Sequence, residues 1–577
     1  MGGALDCARD AGPLWLPDLR AAFAEAEDAV PLAIRLCSYD GRTRLWRHRI
    51  PRWTNEKQRG LARDYLCASV YNAMSACCGY ELAIFTDTEE QELIDLIGEL
   101  PEIFQLSSPK RSGLGKVVSV ANRMGNAFFG KQFHFTVSDI KDLNEDTEPV
   151  PFHAEITEML RAVCREADGL NIIGIDVGGT DIKLAASARG RLAAVKEYDW
   201  NPSAFKTAEQ LIEPILLLTR LMRACIALEK HTPALRRALE KDASEIEMRS
   251  AVEEAESICD CGVLDKIGLS FPDVVLYDRI VGGETPKTDG MRHNQDIEYE
   301  TEFAKLGELG VRLRALCRGE GGCRIVNDGS MAAFSAAMEL CCGNSPEAVK
   351  RGVLAHSLGT DLGTGWVDGS GRIPQLPLEI YDLWLDLGSA EAASLPPEDL
   401  RGTRNENSGL PGARRYLGQS AAFRLAWELD PRLLDGFTEE RDGVLRIRTE
   451  PDDLRKPCLE YLMRRASEGN AAAEEIFRCI GRNLAVITKE AEWLLRPETD
   501  VRYLFGRFVK SEKCFSLLRE GFSELKPEIR LENGGDDLAE TPLMRQLAQR
   551  EDVTVAQFAQ SVGSVYFALT EGERREA

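Results

Sequence analysis

No stretch of this 577-residue chain comes near the roughly 18 uninterrupted apolar residues of a membrane span, so no transmembrane anchor is expected. Basic residues are in deficit: 71 Lys and Arg stand against 94 Asp and Glu, a net charge of −23. That argues against a protein that coats nucleic acid, because phosphate binding needs a basic face. The first residues, MGGALDCARDAGPLWLPDL, lack a basic segment followed by an apolar core, so a cytoplasmic location is expected rather than secretion. The 16 cysteines show no framework spacing, and several (Cys77, Cys78, Cys341, Cys342) sit in apolar helical runs. They read as free thiols in a reducing compartment. Cys259 and Cys261 form a C-x-C with no second pair at zinc-ligand spacing, so no structural zinc site is expected. What is left, 44% hydrophobic and 29% charged, is a soluble globular chain long enough for two to four domains.

The chain is organised around Asn171–Lys183, NIIGIDVGGTDIK. Ile172, Ile173 and Ile175 lead into Asp176, then Gly178, Gly179 and Thr180, then a second alternating run. This predicts strand, glycine turn and returning strand. Such a turn lets backbone N–H groups line a phosphate. Asp176, at the strand end, can hold magnesium through water, and Lys183 can add positive charge. A hairpin with no ligand has the same local sequence.

Further on, 205–258 is a helical stretch of two or three helices. Asp265–Leu276 predicts a strand that runs into Ser270, Phe271 and Pro272, and Ser270 and Pro272 can floor a pocket at the strand end. The polar glycine loop Ile280–Met291, with Glu284, Thr285, Lys287 and Thr288, can wrap a hydroxylated substrate or be plain surface. In Cys323–Leu340 a strand delivers Asn327 and Asp328 to an Ala-rich helix. Asp328 there can cap the helix or take a proton from an attacking hydroxyl that Asn327 orients. Val353–Gly369 holds a second glycine hairpin with Gly359, Thr360 and Gly363, implying two related lobes facing a shared cleft. Glu379 follows Gln375-Leu376-Pro377-Leu378, where a carboxylate can bind sugar hydroxyls. Gly506, in the strand Asp500–Val509, can admit a nucleoside or serve a strand-to-helix turn.

Residues 1–165 read as a separate α/β region: strands at Val30–Ser38 and Thr43–Ile50, a helix at Asn55–Cys78, a strand at Tyr80–Thr86 and a helix at Asp87–Gln105. Loops are expected at Ser107–Gly115 and Ser138–Pro151, with a linker helix at Phe152–Ala167. Arg42, Arg44, Arg47, Arg49 and Arg52, near Trp46 and Trp53, are read as one solvated strand face. The helix at 61–78 lacks a following basic recognition helix, so no DNA reader is expected.

Taken in order, Asp176–Thr180, Asn327–Ala333, Gly359–Gly365, Glu379 and Gly506 resemble the motif set of the ROK family of sugar kinases, within the actin/hexokinase/heat-shock ATPase superfamily. The resemblance covers roughly residues 171–570. It implies an α/β, two-lobed RNase H-like ATPase fold with an additional N-terminal α/β domain, divided as 1–165, 166–345 and 346–577. It implies ATP and Mg2+ as cofactors, a sugar as substrate, Asp328 as catalytic base, and a homodimer. Asn327 and Glu379 would position the sugar, Asp176 would hold the metal, and Gly178, Gly179, Thr180, Gly359 and Thr360 would cradle phosphates. Asp361 stands where the family has glycine, and Leu378–Asp382 (LEIYD) lacks the family's sugar- and zinc-binding His. The following cysteine cluster is also absent, the segment after the first hairpin is longer, and the adenosine turn reads FGRFV. These departures keep two alternatives open: a non-catalytic sugar or nucleotide sensor, and a kinase for another acceptor such as an amino sugar.

Overall fold

The computed structural model describes residues 12–128, 130–144, 156–282, 286–319, 321–343, 346–359, 362–388, 392–405, 408–535 and 538–572. They fall into two compact units, each built from separate stretches of chain. Unit 1 takes Met1–Val150, His356–Thr364 and Leu376–Asn533, and unit 2 takes Pro151–Ala355, Gly365–Gln375 and Gly534–Ala577.

Unit 1 opens with the predicted strands, β1 (Ala29–Ser38), β2 (Thr43–Pro51) and β3 (Gly79–Thr86), and adds an edge strand, β4 (His134–Asp139), in the order β2-β1-β3-β4. β4 pairs parallel to β3, and its polar sequence gave no strand signal. The expected helix at 87–105 is two helices, Gln91–Gly98 and Leu100–Ile103, with Pro101 at the start of the second. Pro101 has no N–H to continue the first ladder. A helix at Lys116–Phe128 went unread. The arginine stretch is a solvated face only in part: Arg47, Arg49 and Arg52 are exposed, Arg52 pairing with Glu90, whereas Arg44 is buried against Asp40 at 2.6 Å.

This N-terminal region is not a module apart, as a boundary at 165 would have it. Arg20 pairs with Glu490 at 2.8 Å, and the Glu490 side chain is fully buried. Asn72 donates to the same carboxylate at 3.0 Å, and Trp46 donates its indole N–H to the Trp493 carbonyl at 3.1 Å. Glu490 and Trp493 lie on the helix Ala471–Leu495. Burying a carboxylate is tolerable only with such partners, so sequence-distant stretches are fixed together in one core.

Unit 2 is built on β5 (Asn171–Val177), β6 (Asp181–Ala188), β7 (Arg191–Asp199), β8 (Lys266–Phe271), the short hairpin β9 (Val275–Leu276) and β10 (Arg279–Ile280), and β11 (Gly322–Asn327). The main sheet runs β11-β8-β5-β6-β7, with β5, β8 and β11 parallel and β6 antiparallel to both neighbours. Numbered along the main sheet that is 3-2-1-4-5 with the second strand reversed, the expected RNase H-like plan.

Alternation sends Ile173, Ile175 and Val177 to one face, where they join the core under Ala208–Ala227 and Glu245–Ile258. The expected helical stretch is these two helices and Pro233–Leu239. Gly174 and Gly268, register partners on β5 and β8, occupy the other face. There the helix Val555–Phe567 lies so close that a Cβ on Gly174 would stand 1.9 Å from the Ser561 carbonyl oxygen. A Cβ on Gly268 would meet the Ser564 carbonyl at the same distance. The sequence division at 345 therefore separates a helix from the sheet it covers.

The second glycine hairpin is β12 (Val353–Leu358) and β13 (Leu362–Val367). After the hairpin β14 (Thr438–Arg441) and β15 (Val444–Ile447) come β16 (Val501–Gly506) and β17 (Arg530–Asn533), giving a sheet β13-β12-β16-β17. Of this hairpin, His356–Thr364 count with unit 1. No helix among the described residues is long and apolar enough to cross a membrane.

Candidate active site

Three parallel strands of unit 2 end together. Asp176 on β5 is in register with Ser270 on β8, and Ser270 with Val326 on β11. Neighbouring strands lie about 4.8 Å apart, so Asp176, Ser270 and the Asn327-Asp328 pair that follows Val326 share one carboxyl edge. Such edges are where open α/β sheets take ligands. Burial pushes the Asp176 carboxyl up to about 6, and the charges of Asp328 and Asp181 push the same way, against the Ser270 hydroxyl and Lys183. Two carboxylates that repel, with a hydroxyl beside them, make a hard oxygen donor set suited to magnesium. Among the described residues no group of three or more His, Cys, Asp or Glu could hold a metal ion. An ion at Asp176 would therefore complete its shell with water and phosphate oxygens, as magnesium commonly does.

Asn327, rather than Asp328, caps the helix Asp328–Cys342: its Oδ1 accepts from Gly329 N at 2.9 Å and Ser330 N at 3.4 Å. Its Nδ2 donates to the Asp273 carbonyl at 3.0 Å. Asp328 follows as the first helical residue, half-buried, accepting from Gly329 N at 2.8 Å. The cap leaves Asp328 at the positive helix end. Ser270 is fully buried and its hydroxyl lies 3.4 Å from Gln560 Oε1; Pro272 is buried beside the same strand end.

In the first turn Gly178 N donates to the Asp181 carbonyl at 2.8 Å, and a Cβ on Gly178 would stand 2.9 Å from that oxygen. Trp200 clamps the turn from outside, donating its indole N–H to Gly178 O and its backbone N–H to Thr180 O, both at 3.0 Å. Thr180 is exposed. Lys183 is engaged by Asp181 rather than standing free. Lys287 enters where sequence reasoning gave it only a loop: its Cε lies 3.4 Å from the position of a Cβ on Gly179. Only side-chain packing against the turn reveals that approach. Glu284 and Thr285 lie outside the described residues.

Unit 1 holds the remaining candidates. Thr360 and Asp361 lie outside the described residues. Gly359 accepts from Gln419 N at 3.1 Å through its carbonyl, and Gly363 sits within β13. Gly506, at the end of β16, has φ +94°, and a Cβ there would stand 2.3 Å from the Leu358 carbonyl oxygen. Only glycine fits that left-handed, close approach, and it sets Gly506 beside the end of β12 that leads to Gly359.

The stretch around Glu379 owes its shape to the N-terminal region. Leu378 N and Glu379 N donate, each at 3.1 Å, to the carbonyls of Ala76 and Ser75, the last turn of the helix Glu56–Ala76. Those carbonyls lack intrahelical partners. The bonds hold Leu378 at φ +54°, costly for a branched side chain. Asn72 grips Trp384 through both its amide ends, at 2.7 and 3.0 Å. Asp382 accepts from the Tyr71 hydroxyl at 3.0 Å and from Asn405. Burial raises the Asp382 carboxyl, and those two donors oppose the rise. None of these N-terminal partners was expected from the sequence.

No protein-family model and no curated protein matches the chain. Among solved structures it is similar to a ROK hexokinase from Thermus thermophilus, at 17% identity and TM-score 0.38, over 69% of this chain and 98% of that one. It is similar also to a ROK-family glucokinase from Streptomyces griseus in complex with glucose and AMPPNP (16% identity, TM-score 0.35, 69% and 99% covered). A third is a ROK-family transcriptional regulator, a homologue of the E. coli MLC protein (12%, 0.38, 69% and 81%). These are likenesses of fold. Kinases and a regulator stand side by side among them, so they say nothing of activity.

Proposed function

We propose that the protein is an ATP-dependent sugar kinase that transfers the γ-phosphoryl group to a hydroxyl of a hexose or amino sugar. The observation that carries this reading is the shared carboxyl edge of β5, β8 and β11, with Asp176, Ser270 and Asp328 on it. Asp328 would accept the proton of the attacking hydroxyl as phosphoryl transfer proceeds. Asp176 would hold magnesium, which neutralises charge on the ATP phosphates. The turn at Gly178, Gly179 and Thr180 would offer backbone N–H groups to a phosphate, and Lys287 would add a cation at that turn. In unit 1, Gly359, Thr360, Gly363 and Gly506 would serve the nucleotide, and Glu379 the sugar hydroxyls. Positioning and charge neutralisation carry such a reaction, since there is little covalent work for side chains.

One observation favours the sensor instead. Both ends of the Asn327 amide are spent on the helix cap and the Asp273 carbonyl, which leaves that side chain less to give a substrate.

The test is ADP release with Mg-ATP across a panel of hexoses and amino sugars, wild type beside Asp328→Asn. A sugar-dependent rate that falls 10²–10⁴-fold in the variant, at unchanged Tm, is expected for loss of a general base. No sugar-dependent release, with a sugar or ATP still raising Tm, would sink the kinase and leave the sensor.

A further inference from the structure

The geometry points to an oxidisable thiol pair, Cys164 and Cys342, that a peroxide converts into an intramolecular disulfide within unit 2. Cys164 lies near the end of the helix Ile156–Ala167, and Cys342 is the last residue of the helix that Asp328 begins. Their Sγ atoms are 3.3 Å apart across the two helices, 178 positions apart in sequence. Both are half-buried, so a small oxidant can reach them while bulk solvent is limited.

Neighbouring thiols are less well placed. The Cys259 and Cys261 sulfurs are 3.6 Å apart, but a bond between residues two positions apart joins nothing that the chain does not already hold together. Cys341 is buried and donates to the Thr157 carbonyl at 3.5 Å. The surroundings also decide which sulfur attacks. The hydrogen bond from Cys164 lowers the Cys342 thiol, with help from Arg161 and Arg545 and against burial and Glu339; Cys164 is raised in turn. A thiolate is the nucleophile in such chemistry, and its formation selects the oxidised site.

The step balances with hydrogen peroxide as oxidant. The Cys342 thiolate attacks one peroxide oxygen, an S–O bond forms, the O–O bond breaks, and hydroxide leaves and is protonated to water. Cys164 then gives up its proton and attacks the sulfenic sulfur. The S–S bond forms, the S–O bond breaks, and a second water departs. Two thiols lose two electrons in all, and one peroxide is reduced to two waters. The bond would close a loop of nearly 180 residues, a strong restriction on the unfolded chain.

The experiment does not depend on the kinase reading. Fully reduced full-length protein is treated with a few equivalents of hydrogen peroxide and quenched with iodoacetamide. It is then digested without reductant for mass spectrometry, with Tm measured in parallel. The expected result is a peptide pair joined through Cys164 and Cys342, a Tm raised by a few degrees, and reversal of both by dithiothreitol. Cys341→Ser should keep the link. Cys342→Ser should lose both link and Tm gain, and Cys164→Ser should leave a sulfenic acid on Cys342 that dimedone traps. Wild-type protein in which Cys342 proceeds to sulfinic acid while Cys164 stays free would overturn the proposal. So would a link made through Cys341 instead.

Discussion

The carboxyl edge of the unit 2 sheet and the stretch from Leu378 to Asp386 in unit 1 both carry candidate site residues, yet they are held by opposite means. The first is assembled from strand ends that hydrogen bond to one another in register, so each side chain is placed by its own strand. The second has no regular element beyond the single turn Ile380–Asp382, and its path is imposed by the helix Glu56–Ala76, some 300 residues earlier. Where regular structure sets a position, a local change should be felt locally. Where a distant helix sets it, damage far away should reach the site.

The sharpest way to break this contrast is at Glu490, which fixes both Arg20 and Asn72. Glu490→Ala strands a buried guanidinium and should cost about 3–5 kcal/mol. Urea unfolding would read that loss, and hydrogen exchange should quicken at 378–386 but not at 171–177. Equal effects in both places would erase the distinction. The edge has its own weak point at Gly268, where the added Cβ of Gly268→Ala would meet backbone 1.9 Å away. Such overpacking should cost about 1–3 kcal/mol, with exchange quickened along β5 and β8 and the 378–386 stretch unchanged.

Acid should act on the hairpin of β12 and β13. His356 on β12 is fully buried with Nδ1 3.0 Å from Thr364 Oγ1, and burial, then the charge of Arg502, lowers its pKa from 6.5 to about 3. The folded imidazole stays neutral while the unfolded one takes a proton below 6.5. This contribution to stability is therefore complete above 6.5 and falls as pH drops toward 3, by about 1.4 kcal/mol per pH unit. His356→Gln should flatten that part of the Tm-against-pH curve between pH 6 and 4. A curve unchanged by the substitution would mean the histidine titrates normally. The smallest effect should come from Asn55→Ala, which removes the side-chain cap on Gln58 N at the start of Glu56–Ala76. About 1 kcal/mol is expected, read as a slight quickening of exchange at 378–386.

The same contrast explains what could be read from sequence. The strand-end positions of Asp176, Gly178 and Asp328 were legible because a β-branched run that stops at a glycine or an N-cap marks its own end, and that of Ser270 because Pro272 stops its strand. Their registration across three strands was not in any one motif, but it follows once the strands are parallel neighbours. Glu379 was picked out as a candidate by its position alone, with no sign of what surrounds it. The partners that shape its surroundings, Tyr71, Asn72 and Ser75, sit in a helix whose pattern shows an apolar face and nothing of what that face meets. Lys287 fell between the two cases: its loop was visible, but its approach to Gly179 depends on tertiary packing. The domain boundaries misled for a related reason, since sequence order suggested consecutive segments and the chain instead returns to each unit more than once.

That return sets a schedule. The glycine-lined face of β5 and β8 is completed by Val555–Phe567, which leaves the ribosome about 380 residues after Gly174. At roughly 5–20 residues per second, that face stays uncovered for about 20–75 seconds of every round of synthesis. For that interval the nascent chain displays a glycine-lined sheet face, with Asp176 and Ser270 at its end, whose proper cover is not yet made. The window is one in which a holding chaperone would find it, and chains cut short before residue 555 would display it for good.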